Sequence, residues 1–364
     1  MRIAVFTELY APSVGGQEAF FRGLAAALIA RGHQVDVHCI GSEQGSPSRE
    51  VLNAVTVHRH PEDLGYKTPR IPQLKRNWGT IARYARHVRR IAKRDRYDFY
   101  LLNQWPLLHV PALPRAVRDR TLLHWCEIRR SGPFAFLQSR LPRLVRLNAA
   151  ISGAVAREIA TTSGRDVFTL PSGLDLSQAR FRPRDQRSGI VVMGRVAKHK
   201  NLPLLVAAFE RLRDGGYTGR LKIAGDGPFM PELRAIVAAS PASAGIDLLG
   251  FIDEATKFDL MADSEVLAMP SMREGFPHAI SEAMCCGLPV VTADYPENGT
   301  KDVVREFDVG VVTDTSVQSF ADGIGQVLAN WDRFSANGRR SAQSLDWAII
   351  AEDLERRMLS PASS

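Results

Sequence analysis

Residues 270–291 read PSMREGFPHAISEAMCCGLPVV. The string opens where the apolar run Val266 to Met269 ends, and it carries Glu274 on a loop punctuated by Gly275 and Pro277. Ser281 to Cys285 then takes helical spacing, Gly287 stops it, and Pro289-Val290-Val291 begins another strand. Strand, loop, helix and strand make the repeating unit of a parallel sheet with helices on its faces. Glu274 and Glu282 are eight positions apart, so one carboxylate hangs in the loop while the other lies about two turns into the helix, both facing one cleft. The first amides of that helix are free to bind an anion, and the helix dipole favours one.

The same alternation extends outward. Ile190 to Met193, Arg220 to Ala224 and Asp247 to Leu249 read as strands, with helices over Leu204 to Leu212 and Pro231 to Ala239. Toward the N-terminus, Ile3 to Phe6 is a strand. Pro12, Gly15 and Gly16 mark a loop, Phe20, Leu24, Ala27 and Leu28 repeat at helical spacing, and Gly32 stops the helix before strand Val35 to Cys39. Further strands fall at Phe99 to Leu102, Thr121 to Leu123 and Ala149 to Ile151, with a helix from about Asn77 to Arg94. The Arg-rich stretch Arg180 to Ser188 separates the two series and reads as a linker. A chain of 364 residues also exceeds the ~250–300 at which one core divides. The economical fold is two Rossmann-like, doubly wound α/β domains facing across a cleft, an architecture that binds ligands outside the carboxyl ends of its strands.

Several side chains belong at such strand ends. Arg195 and Lys200 follow strand Ile190 to Met193 and precede a helix. A guanidinium fork with an ammonium suits a diphosphate. Gly16 lets backbone approach a phosphate or sugar closely, although a tight turn explains Gly15-Gly16 as well. His124 lies just past strand Thr121 to Leu123. Gly225-Asp226-Gly227-Pro228 resembles part of a dinucleotide fingerprint, lacks its third glycine, and reads as a turn near a nucleotide.

Composition narrows the class. With 45% hydrophobic and 24% charged residues, the chain is neither disordered nor collagen-like. No stretch reaches the ~18 apolar residues of a membrane span. Four Cys, two of them adjacent, suit a reducing compartment better than a disulfide scaffold. Arg2 to Phe6 reads as a strand instead of a secretory leader, so a cytoplasmic protein is expected. The net charge of +8 is uneven. Residues 1–175 hold 26 Lys and Arg against 14 Asp and Glu, and residues 176–364 hold 21 against 25.

The quoted string, with Glu274-Gly275-Phe276-Pro277, Glu282-Ala283-Met284, Gly287 and Pro289-Val290-Val291, is similar to the E-x7-E signature of the family-4 glycosyltransferases, retaining enzymes of the two-domain GT-B fold. Other matching pieces occur in that family's order: Pro12 to Glu18, His124, Ser152, Pro171 with Gly173 and Asp175, Gly194-Arg195 with Lys200, and Ala224 to Pro228. The resemblance implies domain 1–170 for the acceptor, a linker over 171–188, domain 189–340 for the donor, and a C-terminal segment 341–364 whose helix crosses back to the first domain. It implies that Arg195 and Lys200 bind the donor diphosphate and carry the charge of the leaving group. Glu282 would hold the ribose, and Glu274 the donor sugar near the reacting face, with loop amides around Gly275, Phe276 and Pro277 helping. Gly16 would approach phosphates or acceptor, and His124 would hydrogen-bond the sugar or support the reaction centre.

Departures from the family's pattern fall at Asn201 for Gly, Ser172 for Asn, and at Glu297 to Asp302, where a glycine-rich stretch is lengthened and Asp302 stands for its glutamate. Neither UDP nor GDP is excluded as the donor nucleotide. No Asp-x-Asp occurs, so no metal and no cofactor beyond the nucleotide-sugar co-substrate is expected, the two cations taking the metal's place. The acceptor expected is a glycan or lipid-linked saccharide of a surface polysaccharide. The alternatives are a small secondary metabolite, a GT-B phosphorylase or epimerase, and a catalytically inactive scaffold of a membrane complex.

From Arg70 to Arg96 there are ten Arg and Lys against one acid, Asp95. Trp78, Ile81, Ala82, Ala85, Val88, Ile91 and Ala92 form one apolar stripe there, and Leu137 to Leu147 is a second basic amphipathic stretch. Either the stripe is core and the cations a solvated face, or the helix lies on an anionic membrane at the inner face of the plasma membrane. No nucleic-acid module accompanies the patch, so no nucleic-acid partner is expected.

Overall fold

The computed structural model describes residues 1–13, 15–68, 76–128, 133–274 and 278–360. The chain forms two compact units, Met1–Gly173 with Trp347–Ser364, and Leu174–Asp346. The first contains, in order, β1 (Arg2–Phe6), α1 (Gly16–Ala30), β2 (Gln34–Gly41), β3 (Arg49–Leu52), β4 (Val55–Glu62), α2 (Trp78–Arg94), β5 (Phe99–Asn103), α3 (His109–Ala112), β6 (Thr121–Trp125), α4 (Pro133–Arg140), β7 (Leu147–Ala150), α5 (Gly153–Ser163) and β8 (Phe168–Thr169). The second runs β9 (Ile190–Met193), α6 (Leu202–Asp214), β10 (Leu221–Ala224), α7 (Met230–Ala239), β11 (Ile246–Gly250), α8 (Glu254–Asp263), β12 (Val266–Met269), β13 (Arg273–Glu274), α9 (His278–Cys285), β14 (Val290–Ala293), β15 (Glu297–Asn298), α10 (Thr300–Phe307), β16 (Gly310–Thr313), α11 (Val317–Ala329) and α12 (Trp331–Gln343). The last helix, α13 (Trp347–Leu359), belongs to the first unit.

The first sheet has the order β3-β4-β2-β1-β5-β6-β7-β8, parallel except for the β3–β4 hairpin. The second has the order β11-β10-β9-β12-β14-β16 and is parallel throughout. Strand order reverses between β1 and β5 in one sheet and between β9 and β12 in the other, and at such points diverging loops open a crevice at the carboxyl ends. Strand β9 is buried on both faces. Ile190 and Val192 join the core under α6, α7 and α11, while Val191 and Met193 join the core under α8 and α9. The architecture is the doubly wound α/β class expected from the sequence.

Hairpin β3–β4 has no counterpart in the sequence reading. Its strand β4 carries His58, Arg59, His60 and Pro61 among the valines, which hides a strand from hydropathy. Arg180 to Ser188, read as linker, lies within the second unit. There the buried Arg187 guanidinium donates to the carbonyls of Arg182, Met261, Ser264 and Cys286 at 2.7, 3.1, 3.2 and 2.6 Å. A buried cation so satisfied fastens the segment to the ends of α8 and α9.

Helix α2 turns Ile81, Ala85, Val88 and Ala92 into the core and leaves Arg83, Arg86, Arg89, Arg90, Lys93 and Arg94 exposed. The apolar stripe is therefore core and leaves only the charges for any surface partner. Arg70 and Lys75 lie outside the described residues. The second basic stretch is not one helix. Pro142 falls in a 3-10 turn, Leu141–Leu144, that ends α4, and Arg146 donates to the carbonyls of Arg357, Met358 and Ser360 at the end of α13. No helix among the described residues is long and apolar enough to cross a membrane.

Candidate functional site

In the second unit the chemistry gathers at the ends of β9 and β12. The chain leaves β9 through Gly194 at φ +123, a conformation open to glycine. The amides of Gly194 and Val196 donate to Ala224 and Asp226 carbonyls at 3.0 Å each. A Cβ on Gly225 or Gly227 would overlap the Gly194 or Val196 carbonyl. The Gly225-Asp226-Gly227 fragment thus serves close packing of two loops. Arg195 is held between those two anchored residues, exposed, and makes no ion pair among the described residues.

Lys200 ends a 3-10 turn, Lys198–Lys200, and Asn201 follows in the left-handed region at φ +51. That conformation accounts for the glycine expected there, which Asn tolerates better than most residues. The Asn201 side chain donates to the Tyr295 hydroxyl at 2.9 Å, joining this loop to the start of the lengthened segment.

Glu274 lies on β13, which pairs in parallel with β15. Its carbonyl accepts from Gly299 N at 2.9 Å, and the neighbouring Met272 N donates to the His199 carbonyl at 2.8 Å. The first link holds Glu274 to the end of β15, the second seats it against the Lys200 loop, and the Lys200 ammonium donates to its carboxylate. The pair is 16% and 12% exposed, so it is well shielded yet reachable. Gly275, Phe276 and Pro277 lie outside the described residues. Glu282, on α9, accepts from Lys257 Nζ at 2.6 Å, and Lys257 also donates to Glu254 at 2.7 Å. Burial acts to lower the Lys257 pKa, but the two carboxylates outweigh it and the pKa is raised. Lys257 escaped sequence reasoning because its partner is 25 positions away and helix α8 shows no pattern of its own.

In the first unit, Gly16 is the exposed first residue of α1. A Cβ on Gly15 would overlap the Glu18 carboxylate, so the start of this helix already faces a negative group. His124, in β6, is 1% exposed. Its Nε2 lies 3.0 Å from the Leu170 carbonyl and its Nδ1 3.4 Å from Cys126 Sγ, with Phe20 stacked on the ring at 4.1 Å. Burial pushes its pKa down to about 4, so the imidazole is neutral, donating from Nε2. Its place is below the surface. Ser152 caps α5 through Val155 N, and Gly173 leaves room for the Trp347 ring.

Above His124 lies a polar tier that strand periodicity does not reveal. Asn103 donates to Gln17 Oε1 at 2.8 Å and to Thr7 Oγ1 at 3.3 Å. Gln104 Oε1 accepts from the amides of Cys126 and Glu127 at 3.1 Å each, and Trp105 Nε1 donates to Glu127 at 2.8 Å. The buried Glu8 accepts from the Tyr66 hydroxyl at 2.6 Å and pairs with Arg76. Thr7 and Glu8 directly follow β1, Gln104 and Trp105 follow β5, and Cys126 and Glu127 follow β6, which is the signal that could have found them.

Two family models meet end to end on this chain: Glycosyltransferase Family 4 over residues 14–178, and Glycosyl transferases group 1 over 176–342. The chain belongs to the family-4 glycosyltransferases and is a glycosyltransferase of GT-B fold. It is 24% identical to an uncharacterized glycosyltransferase of Methanocaldococcus jannaschii, over 91% of this chain and 90% of that protein. It is also 24% identical to the GDP-mannose-dependent alpha-(1-6)-phosphatidylinositol dimannoside mannosyltransferase of Mycobacterium tuberculosis, over 97% and 95%. Among solved structures, sucrose-phosphate synthase from Thermosynechococcus elongatus matches with a TM-score of 0.76 at 20% identity, covering 98% of each chain.

Proposed function

We propose that this protein moves a hexosyl unit, with retention and without a metal, from a UDP- or GDP-linked donor to a saccharide or lipid-linked saccharide in surface polysaccharide biosynthesis. The observation that carries the reading is the convergence of Arg195, Lys200 and Glu274 at the point where the second sheet reverses strand order. The mannosyltransferase relative favours a GDP-mannose donor.

Breaking a glycosyl-phosphate bond leaves positive charge on the sugar and negative charge on the departing diphosphate. Arg195 and Lys200 take the diphosphate, and fixed cations lower that barrier because they need no rearrangement as charge develops. Lys200 exchanges Glu274 for phosphate, which frees the carboxylate for hydroxyls of the donor sugar. Glu282 takes the ribose. Same-face substitution follows, the acceptor hydroxyl passing its proton to the leaving phosphate. Gly16 and the tier above His124 serve the acceptor. The exposed cations of α2 hold the protein electrostatically to an anionic cytoplasmic membrane, each within reach adding ~1 kcal/mol.

The test is donor hydrolysis by the full chain across UDP-, GDP-, ADP- and TDP-sugars. Release of one nucleoside diphosphate, lost in Lys200→Ala, supports the reading, and no release from any donor sinks it. Inhibition by EDTA would overturn the metal-free step.

A further inference from the structure

The first sheet has its own strand-order reversal, between β1 and β5, and a ligand crevice belongs at the carboxyl ends there. Two residues meet at the rim. Trp105 stands two positions past β5 and Glu127 two positions past β6, both half-buried, with the indole Nε1 donating to the carboxylate at 2.8 Å. Their backbones are tied as well. Gln104 N donates to the His124 carbonyl at 2.8 Å, and the buried Gln104 side chain accepts from Glu127 N. The indole is thereby held by a side-chain bond at one end and a clamped backbone at the other.

We infer that Trp105 and Glu127 form a pyranose-binding subsite for the acceptor saccharide. A pyranose has a C–H face and an equatorial belt of hydroxyls. A rigid aromatic ring covers the first with large contact area at little entropic loss. A carboxylate accepts from the second with the stronger, charge-assisted kind of hydrogen bond. Tryptophan also discriminates, because its fixed plane admits sugars whose C–H face is flat. Asn103, the last residue of β5, donates to Gln17 Oε1 and continues the polar edge toward α1. The inference rests on the reading that the first unit takes the acceptor.

The test is saturation-transfer NMR on the full chain, with methyl α-mannopyranoside and methyl α-glucopyranoside as probes. Transfer to the pyranose ring protons is expected in the parent protein. Trp105→Ala and Glu127→Gln should weaken it at least about tenfold in dissociation constant, or 1.4 kcal/mol, while Trp105→Phe keeps part of it because a ring remains. Urea unfolding of each variant establishes that it is folded. If Trp105→Ala does not fold, Glu127→Gln, which changes charge and not shape, decides the matter. Absence of transfer from the parent protein, or transfer of undiminished strength in folded Glu127→Gln, overturns the subsite. No donor is needed, so this result stands apart from donor hydrolysis, which judges the transferase reading.

Discussion

Lys257 Nζ lies 2.6 Å from Glu282 Oε1, bringing α8 and α9 together through one ammonium. The lysine neutralises and orients a carboxylate assigned to the nucleotide ribose. Lys257→Met should raise KM for the nucleotide-sugar about tenfold, as expected for a charged hydrogen bond worth roughly 1.5–3 kcal/mol, with a smaller effect on kcat. Lys257→Arg should recover part of it. Steady-state kinetics decide, and a fall in kcat at unchanged KM would count against this role.

The Lys200 ammonium donates to the Glu274 carboxylate, so a diphosphate must compete with that carboxylate for it. Glu274→Gln should therefore have effects of opposite sign. The nucleoside diphosphate binds tighter, because Lys200 no longer has to leave a carboxylate, while transfer slows. Calorimetry with UDP and GDP reads the first effect and turnover the second. Weaker diphosphate binding in the variant would refute the exchange.

Arg187 donates to four carbonyls and lies between Phe181 and Trp331, 5.3 and 5.0 Å from their ring centres. Arg187→Met keeps much of the volume and strands those acceptors, each unsatisfied group costing about 1–3 kcal/mol. Urea unfolding should show a loss of roughly 3 kcal/mol or more; a change under ~1 kcal/mol would mean the carbonyls find water.

The Trp347 ring occupies space that a Cβ on Gly23 or Gly173 would need. Gly23→Ala should destabilise the first unit by roughly 1–3 kcal/mol through overpacking. Thermal unfolding tests this, and a melting point unchanged or raised would show that α13 can shift.

Seven of the nine histidines fall in the first unit. Burial lowers His38 and His109 to about 3, and His87 and His124 to about 4, with neighbouring His58 and His87 adding to the effect on His38. His38 stacks on His58 at 4.7 Å and His87 tilts against His60 at 4.4 Å. A folded-state pKa below the unfolded value means stability is full above about pH 6.5 and lost as pH falls toward 4 and 3. Each buried histidine contributes on the order of 1.4 kcal/mol per pH unit in that window. Hydrogen exchange across pH 7 to 4 should show the first unit opening before the second; the reverse order would contradict this.

Much of this was legible in the residues. The strand and helix spacing around Glu274 and Glu282, the loop carrying Arg195 and Lys200, and the alternation on either side depend on local periodicity, which survives in one dimension because each element buries its own face. Hairpin β3–β4 was not legible, since its histidines and arginine interrupt the apolar pattern that marks a strand. Gly225 and Gly227 read as a turn, and their close packing against Gly194 and Val196 was not legible because it depends on a loop some thirty positions away. Lys257, Arg187, Trp105 and Glu127 carry no motif, because their partners are brought close by strand order and not by spacing.

Fold class, family and the cations and carboxylates of the donor loops follow from the chain alone, since they rest on short-range spacing and on residue types whose charge does not depend on context. Which lysine neutralises which carboxylate, whether the α2 stripe is core, and that His124 is buried and neutral are properties of packing. They depend on which distant segments share a sheet edge, and the folded topology alone sets that.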